Sequence, residues 1–154
     1  MISAVFDCMV FLQSAINDRG PAFACLELVE SNRVQLYISA PILSEVRDVL
    51  TRPEIQAKFP HLTPERVDIF IQKIAAIAVA VTEITNAGIS LRDPDDLPYV
   101  NLAITAGAAY IVSRDKDLLD LMKDSAFILR FPQLRMVDPV DFLGVVRAGS
   151  GTSK

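Results

Sequence analysis

Short β-rich runs alternate with helical stretches along this chain of 154 residues. The β-rich runs are SAVF (3–6), VQLYIS (34–39), VAVTEI (79–84), AYIVS (109–113) and LRMV (134–137), with FILRF (127–131) as a candidate partner of the last run. Alternation of this kind is typical of βαβ units and predicts a mainly parallel sheet flanked by helices. Ligands of such sheets bind outside the carboxyl ends of the strands, so the residues after each run are the first candidates for a site.

Local signals delimit four of the helices. In APILSEVRDVL (40–50) the apolar residues recur at helical spacing, which predicts an amphipathic helix. A Thr-Pro-Glu start predicts a second helix over 64–77, with the threonine as its N-cap. A third helix is expected from about Leu97 to Gly107, where glycine is a plausible stop. The segment DPVDFLGVV (138–146) begins the last helix.

Length and composition predict one domain that needs no membrane. Hydrophobic residues make up 51% of the chain, which excludes a mostly disordered protein. No apolar run reaches the roughly 18 residues of a membrane span, and the start MISAVFDCMVF lacks a basic segment. We therefore expect no membrane association and a cytoplasmic location. The domain is expected over 1–146, followed by a small, Gly/Ser-rich tail at 147–154 that we expect to be flexible.

The charged and reactive residues exclude some chemistries. The net charge of −4 is weak evidence about nucleic acid, because an enzyme that binds metal between carboxylates carries its negative charge at the site. The single histidine, His61, rules out zinc sites with two or more histidines. A nucleophilic pair of Cys8 and His61 would need an orienting partner and an oxyanion hole, and the sequence indicates neither. Cys25 lies in an apolar segment and is expected in the core.

Acidic residues follow three of the predicted strands. Asp7 comes directly after the first run, and Asp115 comes two residues after AYIVS. Asp93, Asp95 and Asp96 lie in RDPDDLPYVNLA, where the chain enters the third predicted helix. We expect these acids at one edge of the sheet, because the carboxyl ends of parallel strands lie together there.

Two interpretations of these acids are open. A single aspartate at a strand end or helix start is often a cap or turn former. At ~5 Å, however, each carboxylate pair costs roughly 3 kcal/mol at an effective dielectric constant of 20, and caps do not require that concentration of charge. A divalent cation reverses the sign of this energy. Oxygen ligands without histidine or thiolate favour Mg²⁺ or Mn²⁺, which activate water and stabilise charge on a phosphoryl oxygen.

Four segments carry a resemblance to a known family. AVFDCMVF, the glutamate of SEVRDVL, DPDDLPYVNLAITAGAAYIVSRDKDLL and MVDPVDFL resemble the PIN-domain nucleases, above all the bacterial branch of toxin components of toxin–antitoxin pairs. The resemblance extends from about Met1 to Val146. It implies a three-layer α/β/α Rossmann-like fold with a mainly parallel central sheet. It also implies an endoribonuclease that hydrolyses RNA phosphodiester bonds with Mg²⁺ or Mn²⁺.

The resemblance also assigns roles to individual residues. The four catalytic acids of the family map to Asp7, Glu45, Asp96 and Asp115. Of these, Asp7, Asp96 and Asp115 are expected to hold the metal, with Glu45 as a further ligand or as the group that positions water. Supporting roles are expected for Ser113, Asp93, Asp95 and Asn101, although Asp95 has a second interpretation as a helix cap. The candidates for contacts with RNA phosphates are Arg114, Lys116 and Arg47.

One departure from the family pattern bears on activity. The first block of the family, meaning the short segment that begins with its first acid, usually reads Asp-Thr-Asn. This chain has Asp7, Cys8 and Met9 there. The hydroxyl and the amide are both lost, and Asn101 is the candidate to replace the amide in part. The alternative function is therefore a catalytically weak or inactive PIN-like module that binds RNA or a protein partner. As a toxin, the chain is expected to form a homodimer and to bind a cognate antitoxin.

Overall fold

Five parallel strands form one sheet in the computed structural model, which describes the backbone of residues 1–152 and the side chains of residues 1–149. The strands are β1 (Ile2–Phe6), β2 (Val34–Ile38), β3 (Val79–Ala80), β4 (Tyr110–Val112) and β5 (Arg135–Val137). Their order across the sheet is β3-β2-β1-β4-β5, and every neighbouring pair is parallel. The predicted parallel sheet is thus confirmed.

Helices connect the strands throughout the described residues. They are α1 (Cys8–Ile16), α2 (Pro21–Glu30), α3 (Ala40–Leu50), α4 (Pro53–Lys58), α5 (Pro64–Ile77), α6 (Leu97–Ala106), α7 (Lys116–Leu119), α8 (Ser125–Arg130) and α9 (Pro139–Thr152). Helices α3 and α5 have the predicted bounds. Gly107 ends α6 with a φ of 70°, a conformation that glycine adopts without strain.

The helices and the sheet form three α/β/α layers around an apolar core. Helix α6 packs across β1, β2 and β4, whereas α2 contacts β2 and packs with α1 and α9. Aromatic rings join α1 and α9 to the sheet: Phe6 lies 5.8 Å from Phe11 and 6.1 Å from Phe142 between ring centroids. Among the described helices, none is long and apolar enough to cross a membrane.

Two of the predicted strands are wrong in whole or in part. The segment FILRF lies mostly in α8, whose first two free N–H groups, those of Ala126 and Phe127, donate to the Asp124 side chain at 3.0 and 3.2 Å. This cap fixes a helical start, and β5 pairs with β4 instead. The strand predicted over 79–84 is only two residues long and lies exposed at the edge of the sheet. Its last hydrogen bond to β2 is the one that Val81 N–H donates to Ile38 O at 2.8 Å, and the chain leaves the sheet beyond this point.

The last helix crosses the predicted start of the flexible tail. Helix α9 continues through residues 147–152 instead of ending near Val146. Residues 153–154 lie outside the described part of the chain.

The order of the strands places a crevice between β1 and β4. From β1 the chain builds outward through β2 and β3 on one side, and then returns to build β4 and β5 on the other. Phe6 and Val112, the last residues of β1 and β4, are partners in register. The residues that follow them, Asp7 and Ser113, therefore meet at the switch point where sheets of this kind bind ligands.

Candidate metal centre

Asp7 and Asp115 reach the switch point as helix caps. Asp7 accepts from the backbone N–H of Val10 at 3.0 Å and so begins α1 directly after β1. Asp115 accepts from the N–H of Asp117 at 2.9 Å and begins α7 just beyond β4. Each aspartate therefore does what a cap does, and each also presents its carboxylate at the crevice. The cap interpretation is confirmed for both side chains, and their role in a metal site stays a prediction.

A tight 3₁₀ turn brings Asp93 and Asp96 to the same place. Asp93 accepts from the N–H of Asp95 at 3.0 Å and caps the turn Pro94–Asp96. The turn leads into α6 and directs the Asp96 side chain, which is 8% exposed, toward Asp115. One carboxylate oxygen each from Asp93, Asp96 and Asp115 lies within 4.8 Å of the others. We call these three residues the carboxylate triad.

Asp7, which the sequence predicts as a metal ligand together with Asp96 and Asp115, lies beside the carboxylate triad, and Asp93 takes its place in the group. Its two oxygens are held by protein donors, because Val10 N–H donates to one and the Ser113 hydroxyl donates to the other. Ser113 is fully buried and also accepts from the N–H of Asp115 at 2.9 Å. A single hydroxyl thus connects the end of β1 to the start of α7. These hydrogen bonds are consistent with the supporting role expected for Ser113, which stays a prediction.

Burial and neighbouring charges raise the pKa values of two of the acids, Asp96 and Asp7. Burial, together with the carboxylates of Asp115, Asp93 and Asp7, raises the pKa of Asp96 to about 7. Burial also raises the pKa of Asp7 above its usual range, although the hydrogen bonds from Ser113 and Val10 oppose this rise. Removing carboxylates from water and placing them side by side disfavours their charged forms, and a divalent cation favours them. The site therefore has the donor chemistry of a centre for Mg²⁺ or Mn²⁺.

Glu45 has a partner that the sequence analysis did not identify. The hydroxyl of Tyr99, a residue 3% exposed on α6, donates to Glu45 Oε1 at 2.5 Å. Glu45 itself lies on the exposed side of α3, and the buried tyrosine fixes the direction of its carboxylate. Cys8 lies next to this pair. Burial first, and then the charge of Glu45, raises the pKa of the Cys8 thiol to about 12, so the thiol stays protonated near neutral pH.

Other predicted supporting residues are engaged elsewhere. Asp95 is exposed, and the cap of the turn is Asp93, so the interpretation of Asp95 as a helix cap is wrong. The side-chain oxygen of Asn101 accepts from Ala87 N–H at 3.0 Å. Asn101 therefore anchors the segment that precedes Asp93, and its carbonyl group does not replace the missing amide of the first block.

The cationic candidates divide into two groups. Arg47 forms an ion pair with Asp68 on α5, which draws its guanidinium to that helix. Arg114 and Lys116 are exposed on either side of Asp115 and have no ion pair among the described residues. These two remain the better placed for contact with a phosphate.

Nucleophilic chemistry at cysteine has no support in the geometry. His61 is exposed, and its Nε2 lies 3.2 Å from the carbonyl oxygen of Ile16, whereas Cys8 neighbours Glu45. Cys25 is fully buried, as expected for a core residue, and its Sγ lies 3.5 Å from Pro139 O.

The family assignment follows from this arrangement together with a sequence match. The family model described as PIN domain matches residues 3–117, well over half of the chain. This chain belongs to the PIN-domain family. Its fold is similar to a solved structure, the crystal structure of VapBC2 from Rickettsia felis bound to a DNA fragment from their promoter. The TM-score is 0.54 at 15% identity, over 89% of this chain and 98% of that one. No curated protein matches the chain by sequence.

Proposed function

We propose that this PIN domain is a metal-dependent endoribonuclease and the toxin of a toxin–antitoxin pair. The observation that carries the proposal is the carboxylate triad at the switch point, with Asp7 and Glu45 beside it. Nuclease activity is the general property of PIN domains. The sequence resemblance maps the four acids of the family to Asp7, Glu45, Asp96 and Asp115. Acids held this close without a basic partner are suited to bind a cation.

Each side chain has a distinct role in this proposal. Asp93, Asp96 and Asp115 would hold the cation, and Asp7, fixed by Ser113, would add negative charge near Asp96. When bound, Mg²⁺ or Mn²⁺ supplies an activated water and neutralises charge on the phosphoryl oxygen. Glu45, whose carboxylate accepts from the Tyr99 hydroxyl, would orient such a water by hydrogen bonding.

The proposed toxin role includes partners. The similar structure is described as VapBC2 from Rickettsia felis on promoter DNA, and this description favours an antitoxin partner for the present chain. We also propose a cytoplasmic homodimer. Co-purification with the product of an adjacent reading frame and measurement of the mass in solution would test the two associations. A monomer that binds no neighbouring product would contradict the partner proposal and leave the nuclease proposal intact.

The first experiment is cleavage of a cellular RNA pool by the purified protein with Mn²⁺ or Mg²⁺. EDTA removes the metal, Asp96→Asn removes a triad carboxylate, and Asp48→Asn, an exposed change on α3, is the matched control. We expect the parent chain and Asp48→Asn to cut RNA with the metal present. We expect no cutting by Asp96→Asn or in the presence of EDTA. Cutting that survives Asp96→Asn would contradict the site. Tight Mn²⁺ binding without any cutting would favour the alternative, a PIN-like module that only binds RNA or protein.

A further inference from the structure

A second cavity opens beside the acids, and its surface differs from theirs. It has a volume of about 510 Å³ and lies between α1, the start of α2 and α4. Its apolar wall consists mainly of Met9, Leu12 and Ile16 from α1, with Ile55 and Phe59 from the region of α4. This volume is within the range of small-molecule sites.

The charge of this cavity is complementary to an anion. Lys58 and Arg114 line it, and none of its described lining residues is acidic. Neither cation has an ion pair among the described residues. The cavity beside Asp93 and Asp96 is predominantly acidic, with a volume of about 290 Å³. Its lining has five aspartates and two cations, namely Asp93, Asp96, Asp117, Asp120 and Asp124 with Arg92 and Lys123. An RNA phosphate near the acids is therefore attracted toward the second cavity.

Two residues of the second cavity are close to the acids along the chain. Arg114 lies between Ser113 and Asp115, and Met9 is two residues beyond Asp7. The side chain of Met9 is 47% exposed, although it is large and apolar. It lies on the cavity wall, at the position where the family usually has asparagine. The departure in the first block thus changes the surface next to the acids and leaves the acids in place.

Phe59 gives the cavity a flat aromatic face. Its ring is half-buried, and Lys58 Nζ lies 5.6 Å from the ring centroid. A planar base stacks on such a ring while its phosphate contacts the neighbouring cations, as in single-stranded nucleic acid sites. An apolar wall with an aromatic face and two unpaired cations therefore fits a nucleotide better than it fits a purely apolar group.

We propose that this cavity binds one unpaired nucleotide of the RNA substrate, next to the phosphate at the acids. The base lies on Phe59 and Met9, and the phosphate contacts Lys58 and Arg114. The proposal rests on the proposed ribonuclease function, because it names a subsite of that substrate. It implies that the substrate is single-stranded at this position.

The test measures binding without cleavage. In an Asp96→Asn background, a short, labelled single-stranded RNA of mixed sequence is titrated with chains carrying Lys58→Glu, Phe59→Leu or Arg66→Glu. Arg66 is exposed on α5 outside the cavity, so Arg66→Glu is the control for net charge. Phe59→Leu keeps an apolar side chain and removes the ring. Each titration is repeated over a range of salt concentrations and with an RNA of the same length without bases.

Two different signatures are expected. Lys58→Glu weakens binding roughly tenfold at low salt and flattens the salt dependence by about 0.7 in the logarithmic slope, as expected for one lost phosphate contact to a single strand. Phe59→Leu weakens binding about fivefold or more, leaves the slope unchanged, and has no effect on the RNA without bases. Arg66→Glu stays within about twofold of the parent, because its charge is distant and screened.

Equal affinities of Lys58→Glu and Arg66→Glu would overturn the inference. So would a Phe59→Leu effect that persists on the RNA without bases. A cavity that serves a protein segment instead would leave RNA binding unchanged in every variant, which also overturns it. If the parent chain cuts no RNA but the two signatures appear, the ribonuclease proposal fails and the subsite stands. If RNA is cut and the two signatures are absent, the subsite proposal fails and the ribonuclease proposal stands.

Discussion

Asp93 and Asp95 are separated by one proline, yet their carboxylates have different surroundings. The side chain of Asp93 folds back to cap the 3₁₀ turn and joins the carboxylate triad, whereas Asp95 remains exposed. We expect Asp93→Asn to weaken Mn²⁺ binding roughly tenfold, because the site loses a charged ligand. Asp95→Asn should stay within about twofold. Calorimetric titration of both variants measures the difference, and equal losses would contradict the triad.

We expect Tyr99 to act through Glu45 as a positioning residue. Tyr99→Phe removes the only hydroxyl that the described residues show donating to Glu45, and the freed carboxylate becomes hydrated and mobile. We expect kcat for RNA cleavage to fall roughly tenfold or more with an unchanged KM, since orientation is lost and binding is not. Tyr37→Phe, whose hydroxyl bonds to Gln35, is the matched control. In a Glu45→Gln background the Tyr99 change should have no further effect, and an additive loss would refute the positioning role.

Sequence reasoning located the acids and missed their partners for a physical reason. An acid directly after an apolar strand is visible in the sequence, because strand ends have local signals. The contact between Tyr99 and Glu45 joins residues 54 positions apart, and only the packing of α6 near α3 creates it. The choice between Asp93 and Asp95 depends on how one turn closes. One signal was available in the sequence. Tyr99 lies three positions after Asp96, so a helix that starts at Asp96 has both residues in its first turn.

Helix α8 shows how a cap overrides an apolar pattern. FILRF is rich in residues that favour strands, but the Asp124 side chain satisfies two N–H groups at its start, and only Phe127 of the helix is buried. Helices with a clear start in the sequence, such as α5 after Thr63, were predicted with their observed bounds. The predicted length of strand β3 was too great. An edge strand ends where its single neighbouring strand ends, and the alternation of residues along a strand does not show where the neighbour ends.

The cap of α8 gives a stability prediction. Asp124→Ala leaves two helix N–H groups without their side-chain acceptor, and we expect the free energy of unfolding to fall by about 1 kcal/mol. Urea denaturation measures the change, with Asp18→Ala, an exposed aspartate between α1 and α2, as the control. A strand at this position would make the two variants equally stable, which would contradict the helix.

At the scale of the whole molecule, the fold brings acids from distant parts of the chain to one edge of the sheet. Strands β1 and β4 are neighbours in space although about a hundred residues separate them, and their carboxyl ends bring Asp7 and Asp115 together. The alternation of strands and helices predicted this edge, because parallel strands share one polarity. It did not predict the second cavity, whose wall forms only when α1, α2 and α4 pack side by side.

Concentrated acids make the stability of the cation-free protein depend on pH. The pKa of Asp96 is about 7 in the folded chain, compared with an ordinary value of 3.8 that we expect in the unfolded chain, so the folded state binds more protons between these values. Stability is therefore fully present below the lower value and is lost as pH rises through about 7. The raised pKa of Asp7 acts in the same direction.

Mn²⁺ should reverse this loss, because it binds the charged carboxylates that protons otherwise neutralise. With EDTA, we expect the melting temperature to fall as pH rises from mildly acidic to mildly alkaline. With Mn²⁺, the gain in melting temperature should be largest at the alkaline end. Asp96→Asn should flatten the pH dependence of the melting temperature in EDTA and remove most of the gain with Mn²⁺. Asp48→Asn should change neither quantity. A parent chain whose cation-free stability rises through pH 7, or whose Mn²⁺ gain is largest in acid, would show that the acids do not share protons and metal in this way.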